Sequence, residues 1–199
     1  MNDRSGKERF AMVKKHHLKT LENAISNKLI DEQMVDVCRT IGKTKNYFTS
    51  SSCAGRIMLL DVCKEGDKRE SDFHRKWHRE VNFDEVLDGV KAQTKGILWL
   101  RAEPFIIHII CSSLDYAREL LRVKDKAGVR RGGISVAKEG KFLVELTGTQ
   151  YLSVPVKDNG EIIVTEEYLS KLVEYANKKM RLNYERLEKF HDTCKKELD

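Results

Sequence analysis

The segment Phe105–Cys111, FIIHIIC, constrains the fold directly. It is apolar on both faces apart from His108, the pattern of a strand buried in the middle of a sheet. A second strand, Ile97–Arg101, precedes it across Ala102-Glu103-Pro104. Around this pair, helical and strand periodicities alternate. Lys7–Lys28 reads as a helix with Phe10, Val13, His17, Leu21, Ala24 and Ile25 on one face. Asp31 suits the N-cap of a second helix, which turns Met34, Val35, Cys38 and Ile41 inward and ends near Gly42. Lys64–Asp72 is a charged loop, and Phe73–Val81 reads as a strand. Asn82, with Glu85 three residues on, forms a capping-box pattern for a helix to about Gln93. Ser112 with Asp115 opens another helix that ends at Gly128. Ile134–Lys138, Phe142–Thr147, Tyr151–Val156 and Ile162–Val164 follow as strands, separated by turn signals such as Asp158-Asn159-Gly160. Thr165 caps a final helix to about Leu198, roughly 50 Å long. Hairpins beside strand–helix–strand crossings predict an α+β fold with a mixed sheet, flanking helices and a long C-terminal helix. One domain is expected: helices over 7–45, a sheet core over 46–164 and the last helix over 165–198.

Hydrogen-bonding groups are concentrated in the stretch Asn46–Leu59, NYFTSSSCAGRIML. Aromatic and aliphatic residues make strands of its two ends. Its middle, Thr49 to Arg56, carries four hydroxyls, a thiol, a glycine and an arginine. That composition fits a Ser-rich loop between two strands. It equally fits a strand end shaped to hold a polar or anionic ligand. Ser50, Ser51, Ser52 and the N–H groups around Cys53 would then donate hydrogen bonds. Gly55 would allow close backbone approach, and Arg56 would offer a forked donor to carboxylate or phosphate.

Composition narrows the classes. Net charge is +6 and the pI about 9.0, which favours a polyanionic partner. Five cysteines, Cys38, Cys53, Cys63, Cys111 and Cys194, are odd in number and lack C-x-x-C spacing. That argues against a disulfide framework and a structural zinc site, and no metal is expected. MNDRSGKERF lacks the apolar core of a signal peptide, and no apolar run approaches a membrane span, so a cytoplasmic location is expected. No strand is followed by G-x-G-x-x-G, which speaks against a Rossmann-type nucleotide site.

Several motifs in order carry a family resemblance. YFTSSSCAGRI resembles the signature of the tRNA wybutosine-synthesising protein 3 family, an aromatic pair before Thr-Ser-Ser-Cys-Ser/Ala-Gly-Arg. Ile30-Asp31-Glu32, His78, Glu103-Pro104-Phe105-Ile106-Ile107-His108 and Gly128-Val129-Arg130-Arg131-Gly132-Gly133-Ile134 match further family motifs. Val154-Pro155-Val156, Val164–Tyr168 and Ala176–Met180 follow its C-terminal third. The sequence departs from the family at Gly132, where Ser is usual, at Thr147, where Arg is expected, and at Ser153, where Glu is expected.

The resemblance implies an S-adenosylmethionine-dependent methyltransferase. Its substrate would be N4 of a tricyclic guanosine derivative beside the anticodon of tRNA-Phe, in wyosine-base synthesis. Glu103, His108 and Asp31 are then the candidate catalytic groups. Ser50, Ser51, Ser52, Cys53, Gly55, Arg56 and Gly133 are candidates for the methyl donor. His78, Arg130, Arg131 and Lys14 are candidates for RNA, with other enzymes of the pathway as further partners. Each has a plainer role: Asp31 as a cap, His108 as a core histidine, Cys53 as a small packed thiol, Glu103 as a turn carboxylate. Two other classes fit the same residues. One is a tRNA-binding module that assists a partner enzyme, and the other a hydrolase built on Cys53 and a histidine.

Overall fold

The computed structural model describes residues 3–63 and 71–199, and the predicted charged loop from Lys64 falls mostly outside them. The helices are α1 (Asp3–Ser26), α2 (Glu32–Lys43), α3 (Phe83–Lys91), α4 (Leu114–Lys126) and α5 (Glu166–Glu197). The strands are β1 (Tyr47–Cys53), β2 (Arg56–Val62), β3 (Ser71–Trp77), β4 (Ile97–Glu103), β5 (Ile106–Cys111), β6 (Arg131–Lys138), β7 (Lys141–Thr147), β8 (Leu152–Asp158) and β9 (Glu161–Ile162). The α+β class and the long last helix agree with the sequence. The sheet does not match the expected mixed one. There are two sheets, ordered β1-β5-β7-β6 and β3-β2-β4-β8-β9, and their ladders are antiparallel. The strand–helix–strand crossings β3–α3–β4 and β5–α4–β6 do return their strands in the same direction within one sheet, but an antiparallel strand, β2 or β7, lies between each pair. The chain forms two compact units, and it passes between them at Ala54–Gly55, Pro104–Phe105, Thr149–Gln150 and Asn183–Tyr184.

In the first unit β5 lies between β1 and β7, as its two-sided apolar pattern requires. Tyr47, Ile107, Ile109, Cys111, Val144 and Leu146 point to one face. There they pack with Met34, Val37 and Ile41 of α2, Leu120 and Val123 of α4, and Leu187 and Phe190 of α5. On the opposite face Phe48 and Ile110 are buried under Phe10 of α1, with the Phe10 and Phe48 rings 5.3 Å apart. The helix caps lie where the patterns placed them, with two adjustments. Ser113, not Ser112, caps α4 and accepts the Tyr116 N–H. Asp31 sits at the N-cap of α2 without any side-chain cap bond.

In the second unit α3 begins with the predicted capping box, Asn82 and Glu85 bonding each other's backbone N–H. Gly89 lets α3 approach β2: a Cβ there would lie 2.5 Å from Leu59 Cδ1. Buried Asp61 accepts the N–H groups of Lys95 and Gly96, which fixes the entry into β4. The Asn177 side chain of α5 bonds both N–H and C=O of Val81. Predicted strand Phe73–Val81 stops at Trp77, because the following residues are drawn into this clamp and the α3 cap.

Candidate functional site

The hydroxyl-rich stretch is a strand rather than a loop. β1 runs to Cys53 and pairs with β5, and a bulge between Thr49 and Ser51 absorbs Ser50. Residues beyond the bulge therefore alternate in a defined way. Ser52 turns toward the core face, where the Cys38 thiol donates to its Oγ at 3.6 Å. Ser51 and Cys53 turn to the other face. The three serines accordingly do not act as one cluster.

On that other face, register places functional groups in rows. Ser51 stands opposite His108, His108 opposite Glu145, and Glu145 opposite Gly133. The next row is Cys53, Ile106, Thr147 and Arg131. Neighbours across a ladder lie roughly 5 Å apart, so each row is one continuous strip. His108 Nε2 is 2.8 Å from Glu145 Oε2. A carboxylate only accepts, so Nε2 carries the proton and Nδ1 is left as an acceptor. Glu145 was not among the expected site residues. Its position at an alternate site of β7 was visible, but its partner on β5 lies 37 positions away in the chain.

The two glycines of β6 differ. Gly132 has φ +139°, and a Cβ on it would lie 2.4 Å from the Glu145 carbonyl oxygen, so the departure from the family's Ser belongs to a backbone only glycine tolerates. Gly133 has nothing within 4 Å of where its Cβ would stand. It leaves open space at the end of the His108–Glu145 row. Thr147, where the family has Arg, donates its hydroxyl to the Phe105 carbonyl at 3.0 Å.

Asp31 reaches the end of the same strand. Its Oδ2 accepts the Ala54 N–H at 2.7 Å, which ties the start of α2 to the end of β1. Arg130 and Arg131 are exposed at the start of β6. Lys14 is not displayed in this way. Its half-buried ammonium donates to the carbonyls of Thr44 and Lys45 at the end of α2, and burial lowers its pKa. A cavity of about 1100 Å³ is lined by Lys14, Phe10, Lys45, Ser113, Tyr116 and Phe142 among others. None of its lining residues belongs to the polar rows, so this hollow and the chemical groups are at different places on the unit.

In the second unit Gly55, buried and with φ +95°, turns the chain into β2. Arg56 then faces Glu103 across the β2–β4 ladder. Arg56 Nε and Nη2 both donate to Glu103 Oε2, at 3.0 and 2.9 Å. The forked donor expected to meet a ligand thus holds a carboxylate of its own chain. Among the described residues the other oxygen, Oε1, receives only a long 3.4 Å contact from the Tyr151 hydroxyl. Burial, and then Glu103, raises the Tyr151 pKa. Phe73, 53% exposed, lies under the Arg56 guanidinium at 5.0 Å and the Lys76 ammonium at 5.3 Å. His78 is half-buried in the bend after β3, and its neighbour Arg79 pairs with Glu85 at 2.6 Å. No helix among the described residues is long and apolar enough to cross a membrane.

Residues 12–196 match the family model described as Methyltransferase TYW3. A Thermococcus sibiricus protein is 35% identical over 94% of this chain and 95% of its own, and is named tRNA(Phe) 7-((3-amino-3-carboxypropyl)-4-demethylwyosine(37)-N(4))-methyltransferase. The mouse tRNA wybutosine-synthesizing protein 3 homolog is 38% identical over 82% of this chain and 64% of its own. Among solved structures, the PH1069 protein from Pyrococcus horikoshii superposes with a TM-score of 0.89 at 36% identity, covering 94% of this chain and 97% of that one. With the family's motifs in order along nearly all of its length, the chain belongs to the TYW3 methyltransferase family.

Proposed function

We propose that this protein methylates N4 of the 7-(3-amino-3-carboxypropyl)-4-demethylwyosine base at position 37 of tRNA(Phe), with S-adenosylmethionine as donor. The observation that carries this reading is the end-to-end correspondence with enzymes named for that reaction, at about one residue in three identical. When bound, S-adenosylmethionine supplies an electrophilic methyl group on a sulfonium. The chain must align the acceptor nitrogen with it and take up one proton. Among the proposed groups, His108 is built for the proton. Glu145 holds its Nε2–H, so Nδ1 is left as the base, and a carboxylate there stabilises the imidazolium that forms. Ser51, beside His108 in register, would donate to a polar edge of the base. Gly133 leaves room for a flat ring over bare backbone.

The residues also fit the donor. Its ribose hydroxyls and ammonium need an acceptor, and Glu103 Oε1 of the second unit, not engaged by Arg56, offers one. Arg130 and Arg131, exposed and unpaired with acids in the described residues, would meet tRNA phosphates, with His78 a further contact. Asp31 is assigned a positioning role at Ala54 instead of a catalytic one. The test is mass spectrometry of tRNA(Phe) bearing the demethylated base. It should gain one methyl group when protein and S-adenosylmethionine are both present. A base of unchanged mass with active protein would overturn the reading.

A further inference from the structure

One arginine of the second unit is left without the partner that such groups normally have. Arg101 lies on β4, two residues before Glu103, so both side chains leave the same face of the sheet. Its cross-strand neighbours are Met58 on β2 and Ser153 on β8, neither of which carries charge. Its guanidinium rests over the Trp99 ring at 5.4 Å. Among the described residues its buried Nε–H has no hydrogen-bond partner and it makes no ion pair. A buried donor of this kind normally has a partner, and its lack points to a missing acceptor.

The surroundings say which acceptor. Arg101 acts electrostatically on the Tyr151 hydroxyl, as do Arg56 and Glu103, so the four groups share one neighbourhood. Arg56 is already matched by Glu103 Oε2. That leaves one surplus cation, Arg101, and one carboxylate oxygen, Glu103 Oε1, with only a 3.4 Å hydroxyl contact. A cation and an anion displayed two residues apart on one strand are complementary to a zwitterion. Stacking on Trp99 holds the guanidinium's plane in place, which suits bidentate capture of a carboxylate.

We propose that Arg101 and Glu103 form a subsite for the zwitterionic end of an α-amino acid, Arg101 taking the carboxylate and Glu103 Oε1, with Tyr151, the ammonium. The inference rests on the reaction proposed above, which brings such an end from two sources. One is the methionyl end of S-adenosylmethionine, and the other is the 3-amino-3-carboxypropyl arm in the name of the relatives' substrate. It differs from the earlier expectation for Arg56 in naming the arginine whose donors are not already used.

Binding measurements test it without turnover. Calorimetry compares S-adenosylmethionine with its decarboxylated form, and anisotropy compares tRNA(Phe) with and without the arm at the modified base. Each pair is measured on the wild-type protein, Arg101→Gln and Arg101→Lys. In the wild type the ligand lacking the carboxylate should bind about 10- to 100-fold more weakly in one of the two pairs. Arg101→Gln should abolish that gap, and Arg101→Lys, which keeps the charge but not the fork, should restore part of it. The pair that shows the gap identifies the source. Gaps unchanged in Arg101→Gln, or equal weakening of both members of each pair, overturn the proposal, and equal weakening confined to the two tRNAs would mean that the arginine meets RNA phosphate. If Arg101→Gln does not fold, the wild-type pairs with Arg101→Lys decide the matter: no gap in the wild type, or an undiminished one in Arg101→Lys, overturns it. Wild-type protein that binds both intact ligands but transfers no methyl would fault the reaction assigned above and leave this subsite standing.

Discussion

The carboxylate of Asp31 accepts the backbone N–H of Ala54 at 2.7 Å, joining the first residue before α2 to the residue after β1. A charged acceptor on a backbone amide contributes about 1.5–3 kcal/mol. Asp31→Ala should therefore lower stability by about 2 kcal/mol in urea unfolding, while Asp31→Asn, which keeps an acceptor oxygen, should cost less than half of that. The same pair of variants separates positioning from catalysis. Methyl transfer that survives in Asp31→Asn supports the positioning role, and a collapse of kcat with stability retained would restore Asp31 as a base.

Glu145 holds His108 in one tautomer on the proposed reading. Glu145→Gln should cut kcat by about 10- to 100-fold, with little change in KM for either substrate, since a carboxamide can present its N–H and so favour the wrong tautomer. Glu145 is 45% exposed, so its melting temperature should scarcely move. His108→Ala should be worse, by about 100- to 10,000-fold. Equal activity of wild type and Glu145→Gln would remove this dyad from the mechanism.

Buried thiols predict both reactivity and alkaline behaviour. Burial pushes Cys111 and Cys194 up to about 12, from a usual value of 9.0. Brief iodoacetamide treatment at pH 8 should label exposed Cys63 and leave Cys38, Cys111 and Cys194 unmodified by peptide mapping. Because the folded state holds these protons more tightly, the unfolded chain ionises first. The stability they lend is intact below pH 9 and falls as pH rises toward 12. Denaturation midpoints at pH 8, 9.5 and 10.5 should decline in that order. A midpoint that rises across this range contradicts the assignment.

Arg186 on α5 donates to the Ala127 carbonyl at 3.0 Å and so finishes the C-terminus of α4. A Cβ on the adjacent Gly128 would lie 2.2 Å from its Nη1. Arg186→Ala should cost about 1–2 kcal/mol. Gly128→Ala should cost as much or more, since it expels the guanidinium and also strains the backbone. In the double variant the two losses should fall short of additive, because both break one contact.

The elements that were legible in the sequence are those whose cause is local. Asn82 and Glu85 are three residues apart, and their reciprocal cap was readable because nothing distant takes part in it. The same holds for Thr165, which accepts the Tyr168 N–H at the head of α5, and for the apolar run that makes β5 central. What stayed hidden depends on register. Ser51 and Ser52 look alike in sequence, and only the bulge at Ser50 decides which one reaches the core. Arg56 and Arg101 are equally arginines in strands, but one meets Glu103 across a ladder and the other meets Met58 and Ser153. The division into two antiparallel sheets is of the same kind, since it is fixed by which distant strands find each other.

Gly133 supplies a handle on selectivity. Because no heavy atom of the described residues, its chain neighbours aside, lies within 4 Å of the missing Cβ, a methyl group grown there would be accommodated without repacking. It would stand up from the sheet like a doorstop beside the Glu145 carboxylate. An enzyme engineered with Gly133→Ala should keep its fold yet turn away bulky tricyclic bases before smaller ones. Position 133 would then grade acceptors by size alone.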